Sequence, residues 1–153
     1  NVQEAISLPS MDLFTKMDVY AIIRCGNNPT KTTSTQGSYT SEYGNRVDWN
    51  DNVDIELQIA DESVEFYVYD HETFHSDTLI GKGELKVADF YQKLEGMPRT
   101  RVRFLPGANG QSKAMKIRLW NGMKAAGELR VTVFVTDPGV PFNVAISDES
   151  DDD

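Results

Sequence analysis

The sequence predicts an all-β protein that folds as an antiparallel, eight-stranded β-sandwich. Short segments rich in β-branched and aromatic residues recur at spacings of about ten residues, and turn-forming residues separate them. Several of these segments alternate apolar and polar residues, as half-buried strands do. With 153 residues, of which 39% are hydrophobic and 25% are charged, the chain suits one globular domain.

Six segments carry the strand pattern. They cover residues 19–25, 53–59, 64–69, 79–87, 115–120 and 127–135. Residues 26–29 and 106–110 have the composition of tight turns, and residues 37–45 are expected to form a polar loop. Only residues 88–94 are expected to form a short helix, which would stop before the glycine and the proline that follow.

The negative charge is concentrated at one end of the chain. We expect a folded domain over residues 1–137 and a largely flexible acidic tail over residues 138–153. The net charge is −9, and removing the five tail carboxylates leaves −4 for the domain. Such a surface is unsuited to nucleic acid, because that binding depends on cationic contacts to phosphate. It would also be repelled by anionic lipid unless another group neutralised it.

Cys25 is the only cysteine, so neither an internal disulfide nor a cysteine-based metal cluster is possible. We expect a buried, unreactive thiol. The N-terminus has no signal-peptide pattern, and no apolar run approaches the roughly 18 residues of a membrane span. These features predict an intracellular chain, and the missing initiator Met fits a fragment of a longer protein.

The stretch DHETFH, residues 70–75, supports two different metal hypotheses. It contains H-E-x-x-H, in which two histidines one helical turn apart bind zinc and the glutamate activates a water. That chemistry needs a helix, whereas the preceding residues have strand character and the following ones favour turns. His71 and His75 are the only histidines, so three histidine ligands are excluded. A zinc hydrolase is the least favoured interpretation.

The same stretch begins with two acids, Asp70 and Glu72, which suit calcium because this ion takes several oxygen ligands. An EF-hand is excluded, since the loop would need Gly at its sixth position and Glu at its twelfth, and has neither. A sandwich can instead combine acids from two loops at one end. Asp12 and Asp18 flank a short excursion before the first predicted strand and supply a second acidic pair.

Four stretches match motifs of one known family in the right order. They are SLPSMDLFTKMDVYAIIRCG, VDWND, VEFYVYDHETFHSDTLIGKGEL and GELRVTVFV. They resemble, respectively, the first calcium loop, the P-x-W-N-E motif, the third calcium loop and the closing strand of C2 domains. The resemblance covers residues 2–136 and implies the sandwich fold. Because the chain opens on the strand before loop one and closes on the G-E-L strand, it implies the permuted type II topology.

The resemblance also implies a calcium site built from five acids and two backbone carbonyls. The acids are Asp12, Asp18, Asp70, Glu72 and Asp77, and the carbonyl donors are those of Met17 and His71. The chain departs from the family pattern at three of its positions. Glu72 stands where the family prefers Asp, Thr78 stands where the last acid usually lies, and Val19 replaces a proline. A weaker last ligand lowers the charge count, which lowers calcium affinity.

The implied function is calcium-dependent attachment to a phospholipid membrane, without enzymatic activity, by a cytoplasmic and peripheral module. Leu13, Phe14 and Phe74 lie in the same loops and would enter the headgroup region, unless they fold back onto the sandwich. The alternative is a calcium-independent module for protein–protein interaction. A protein partner, or an attached domain of a longer chain, is compatible with both functions.

Basic residues are concentrated in the second half of the chain. They are Arg99, Arg101, Arg103, Lys113, Lys116, Arg118 and Lys124. The alternation in 101–103 and 116–118 puts them on one face of each strand. That face is either a solvated sheet face or a surface for acidic partners, for an anionic membrane or for the chain's own acidic tail. The region around residues 30–35 and 53–59 carries one lysine and three acids, so phosphoinositide recognition there is not expected.

Overall fold

The structure is a computed structural model that describes residues 1–9, 16–58, 60–94, 101–105 and 110–136. Within these ranges the chain is almost entirely β-structured, and its one helical element is a 3₁₀ turn at Val87–Asp89. The strands are β1 (Val2–Leu8), β2 (Asp18–Arg24), β3 (Lys31–Thr32), β4 (Gln36–Gly37), β5 (Tyr39–Ser41), β6 (Gly44–Asp51), β7 (Ser63–Asp70), β8 (Thr78–Lys86), β9 (Tyr91–Leu94), β10 (Arg101–Phe104), β11 (Ser112–Asn121) and β12 (Lys124–Phe134).

The sandwich is one antiparallel sheet that curls over on itself. Its strand order is β3-β2-β7-β8-β11-β12-β1-β6-β5, with β4 also paired to β2, and β9 and β10 form a separate ribbon. The junction between β8 and β11 has a single matched pair, Trp120 with Lys82, so the sheet bends there into two layers. The predicted antiparallel sandwich is confirmed. The described strands exceed eight because the short β3, β4 and β5 and the ribbon add to the main ones.

The position of β1 fixes the topology. It lies between β12 and β6, pairing antiparallel with both. The last long strand therefore occupies the place beside the strand that leads into the first loop, as the type II prediction requires. Five of the six predicted strands are confirmed, as β2, β7, β8, β11 and β12.

The predicted strand at residues 53–59 is wrong in the described residues 52–58, which carry no strand. The alternation is preserved, because Val53, Ile55 and Leu57 are half-buried and pack against the core. An apolar-polar pattern orients side chains, but a strand also needs a neighbouring backbone to complete a ladder.

Two further predictions at the local level are wrong. The segment 88–94, expected to be a helix, is a 3₁₀ turn followed by β9. It folds in this way because β10 offers β9 a pairing partner and because Tyr91 packs edge-to-face on Phe104, with the ring centroids 6.0 Å apart. The expected loop at 37–45 contains the β5–β6 hairpin, which turns with Gly44 at a φ of 75°. Long-range pairing overrides weak local propensity in both segments.

The core between the layers contains the apolar sides of the long strands, including fully buried Ile23, Ile80 and Leu129. The tryptophan of the VDWND motif lies inside, where the Trp49 Nε1–H donates to the Val19 carbonyl at 3.1 Å. The prediction of a buried thiol is confirmed, since Cys25 is 1% exposed. Burial, and next the negative charge of nearby Asp61, raise the pKa of the Cys25 thiol to about 11.

Candidate functional site

Several connections meet at one end of the sandwich, which we call the loop end: residues 71–77 between β7 and β8, residues 122–123 between β11 and β12, and residues 42–43 between β5 and β6. The Asn121 side-chain amide donates to the Leu79 carbonyl at 3.1 Å. This bond holds the connection at residues 122–123 beside the connection at residues 71–77. The end of β1, which leads toward the first predicted calcium loop, lies at the same place, because the Ser7 N–H bonds the carbonyl of residue 43 at 2.8 Å.

Two predicted ligands are brought together where β2 begins and β7 ends. In the antiparallel pairing of these strands, Val19 lies opposite Asp70. The Asp18 N–H donates to Asp70 Oδ1 at 3.1 Å, and the His71 N–H donates to the Asp18 carbonyl at 2.7 Å. The Asp70 side chain is only 2% exposed, whereas Asp18 is exposed. The Asp70 carboxylate is thus fixed by the fold, whereas the Asp18 side chain faces solvent.

The Asp77 carboxylate stabilises the 71–77 loop through hydrogen bonds. It accepts the Glu72 N–H at 2.9 Å and the Tyr20 hydroxyl hydrogen, and it lies 3.2 Å from His71 Nδ1. The Glu72 N–H and then the Tyr20 hydroxyl hold the pKa of Asp77 below its ordinary value. Burial, and next the bond to Asp77, raise the pKa of Tyr20 to about 12. The loop therefore holds its shape through a carboxylate that the sequence suggested as a ligand.

The Glu72 side chain and the Met17 carbonyl, both predicted ligands, also accept hydrogen bonds within the fold. Glu72 Oε1 accepts the Thr78 hydroxyl at 3.3 Å, at the position where the family usually has its last acid. The Met17 carbonyl accepts the Ser38 N–H at 2.8 Å, and the Met17 N–H donates to Ser38 Oγ at 3.0 Å. For His71 the structure gives the backbone N–H bond to Asp18 and the approach to Asp77.

The zinc hypothesis lacks its helix. Residues up to Asp70 belong to β7, and residues 71–77 form a loop, so His71 and His75 do not share a helical face. Nor, in the part of the chain that the structure describes, do any three His, Cys, Asp or Glu side chains form a group able to hold a metal ion. Asp12 lies outside the described residues, and so do Leu13 and Phe14.

The donor chemistry at the loop end fits calcium better than zinc. The described acids Asp18, Asp70 and Glu72 offer hard carboxylate oxygens, and the chain's one thiol, Cys25, is buried in the core. The Asp77 carboxylate is engaged in bonds of the loop, so the described acids do not by themselves form a complete coordination shell.

The outermost side chains of the loop end are apolar. Phe74 is 91% exposed at the tip of the 71–77 loop, and Met123 is 98% exposed in the turn of the β11–β12 hairpin. Sequence reasoning named Phe74 but missed Met123. The available signal was Gly122, because a glycine at the first position of a two-residue hairpin loop makes the next residue a tip residue, and here Gly122 has a φ of 62°.

The curled antiparallel sheet and its acidic loop end place the chain among β-sandwich modules whose loops converge at one pole. The model of the C2 domain family matches residues 1–101, and the chain belongs to that family. No curated protein sequence matches the chain. In the described residues, no helix is long and apolar enough to cross a membrane.

Solved structures agree on the fold. The chain is similar to a C2 domain of plant extended synaptotagmin 1, with 20% identity, a TM-score of 0.65 and 86% of each chain covered. It is also similar to a C2 domain-containing protein, with 14% identity, a TM-score of 0.61 and coverage of 92% and 87%. A third C2 domain shares 17% identity, with a TM-score of 0.54 and coverage of 90% and 94%. At such identities the likeness concerns the fold alone.

Proposed function

We propose that this C2 domain attaches to phospholipid membranes in a calcium-dependent manner through its loop end. One observation carries the proposal: Asp18 and Asp70, which the Asp18 N–H to Asp70 Oδ1 bond joins, lie at the same end of the sandwich as the highly exposed Phe74 and Met123. A loop end that combines carboxylates with exposed apolar side chains suits a membrane surface, which has anionic headgroups above an apolar interior. The module is non-enzymatic, peripheral and cytoplasmic, and it targets a larger protein or a bound partner to membranes.

Bound calcium would supply the positive charge that the acidic loop end needs in order to approach lipid phosphate. The acids at this pole repel lipid phosphate, and a bound divalent cation reverses that sign while its open positions accept phosphate oxygens. Asp18 and Asp70 would hold the ion from one side, with Asp12 from the first loop and Glu72 as further donors. Asp77 would contribute chiefly by fixing the loop.

The apolar tips supply the second part of the binding energy. Transfer of one phenylalanine side chain out of water contributes about 1.5–3 kcal/mol. Phe74 has this surface already exposed, so insertion requires no unfolding of the loop. The combination of an ion bridge and one or two inserted side chains gives reversible attachment rather than permanent anchoring.

Sedimentation with phosphatidylcholine–phosphatidylserine vesicles tests this proposal. We expect the chain to sediment with vesicles in calcium and to stay in solution with chelator. Equal sedimentation in both conditions would contradict the calcium step. Absence of sedimentation in both would favour the calcium-independent protein-interaction module.

Changing Asp18→Asn should weaken calcium binding about tenfold, because it removes one charged donor from a site of few donors. The side chain is exposed, so the fold should tolerate the change. Calorimetric titration of metal-stripped protein measures the affinity. The matched control is Asp89→Asn, an exposed carboxylate just after β8, at the opposite end of the sandwich. The same loss of affinity in both variants would show a general charge effect instead of a site.

A further inference from the structure

The β11–β12 hairpin carries a graded series of side chains that ends at the loop end. Met123 lies in its two-residue turn and is almost fully exposed. Trp120, three residues earlier, is 42% exposed, although a tryptophan ring normally loses most of its surface in a folded domain. Arg118, two residues further along β11, is exposed as well. From the turn inward, the exposed side chains are therefore apolar, then aromatic, then cationic.

The aromatic and the cationic side chain share the outer face of the sheet. Trp120 lies opposite Lys82 of β8, and directly opposed residues of antiparallel strands project from the same face. Arg118 is exposed in the same way, between the buried Ile117 and Leu119. Its guanidinium carbon lies over the indole ring of Trp120, 6.0 Å from the ring centroid. A cation and an aromatic ring are thus held side by side on one surface.

The cations near the turn are not neutralised by acids of the described residues. Glu128, which lies opposite Arg118, instead pairs with Arg130 at 3.0 Å. Across the described ranges, no carboxylate is within ion-pair distance of Arg118 or of Lys124, the exposed residue that follows Met123. The hairpin is therefore a positive region at one side of an acidic loop end, on a chain whose net charge is negative.

Strand geometry sets the depth at which each side chain would meet a bilayer. A strand advances about 3.3 Å per residue, so in a hairpin that points at the membrane Trp120 lies about 10 Å behind Met123. The headgroup region of one leaflet is about 5–8 Å thick. When Met123 enters the apolar interior by a few ångströms, Trp120 reaches the headgroups, where tryptophan is enriched in membrane proteins. The long side chain of Arg118 can extend toward the same phosphates.

We propose that the β11–β12 hairpin is a second membrane contact, in which Trp120 lies among the headgroups and Arg118 and Lys124 bind the phosphates of anionic phospholipid. This inference rests on the proposed membrane attachment and specifies its lipid class. Each cation close to an anionic membrane contributes about fivefold in affinity, too little to replace the calcium bridge. Contacts at two separate connections, the 71–77 loop and this hairpin, would also fix the orientation of the domain on the membrane.

Tryptophan fluorescence tests the contact in the full chain, because its two tryptophans have different settings. Trp49 is buried, and its Nε1–H bonds the Val19 carbonyl, so vesicles should not change its emission. With calcium and phosphatidylcholine–phosphatidylserine vesicles that carry bromine on the acyl chains near the headgroups, we expect loss of the Trp120 emission. Trp120→Phe should remove this response. Sedimentation with unquenched Trp120 would overturn this inference alone, whereas absence of sedimentation would overturn the proposed membrane attachment as well.

A charge-neutralising pair tests the lipid class. Arg118→Gln with Lys124→Gln should weaken binding to the phosphatidylserine vesicles about thirtyfold at fixed calcium, and calorimetric calcium binding without lipid should not change. The matched control is Lys86→Gln with Lys113→Gln, two exposed cations at the other ends of β8 and β11. All four side chains are exposed, so the fold should tolerate both pairs.

Two results of this comparison would overturn the inference. Equal losses in the two pairs would show a general charge effect instead of a contact at the hairpin. Unchanged vesicle binding by Arg118→Gln with Lys124→Gln would leave this cationic surface to an acidic protein partner.

Discussion

Replacing Gly127 by alanine should destabilise the domain by about 3 kcal/mol, because two costs combine at this position. The backbone of Gly127 has a φ of 103°, a conformation that L side chains rarely adopt. A Cβ atom there would lie 2.6 Å from the Ile6 carbonyl oxygen and 3.0 Å from that of Ser7. Both contacts are with backbone of the paired β1, so neither can move aside cheaply.

Urea unfolding of the variant measures this effect. Gly37→Ala is the matched control, because a Cβ atom at Gly37 meets nothing within 4 Å. We expect the control to unfold within about 0.5 kcal/mol of the parent chain. Similar losses in the two variants would mean that the close approach at the start of the GELRVTVFV motif does not limit stability.

Phe74→Asp should weaken calcium-dependent vesicle binding about 100-fold, since it removes the inserted apolar surface and adds a charge that faces lipid phosphate. The stability of the fold should not change, because the side chain is 91% exposed and packs on little else. Vesicle titration at fixed calcium measures the binding, and thermal unfolding measures the stability.

The control for this prediction is Leu105→Ala. Leu105 is a partly exposed apolar residue just after β10, far from the loop end, and its N–H bonds the Phe90 carbonyl through the backbone alone. Its truncation removes exposed apolar surface without touching the proposed membrane contact. Unaltered vesicle binding by Phe74→Asp would place the contact elsewhere on the domain.

The long strands were predictable because their two-residue period is set by one buried face. In β7 every second residue from Val64 to Asp70 is buried, and the sequence shows this alternation directly. The elements that escaped prediction depend on distant partners. β9 exists because β10 pairs with it, and β6 exists because β1 and β5 lie on its two sides. No local window contains that information.

The positions of the candidate residues were predictable to the level of loops, whereas their hydrogen bonds were not. Motif spacing placed Asp18 and Asp70 at the ends of different strands, and the β2–β7 register brings them together. The sequence did not indicate that Asp77 would be engaged by Tyr20, because these residues lie 57 positions apart. It also did not indicate that Thr78 would bond Glu72, since a hydroxyl at that position has several possible partners.

Because the chain's single thiol lies in the core, its chemical modification reports opening of the domain. With 1% of its surface exposed and its pKa raised to about 11, Cys25 offers an alkylating reagent neither access nor thiolate while the sandwich is closed. Each modification event therefore marks a molecule whose layers have separated. Labelling kinetics in the presence of calcium or of vesicles would reveal how strongly each one stabilises the closed domain.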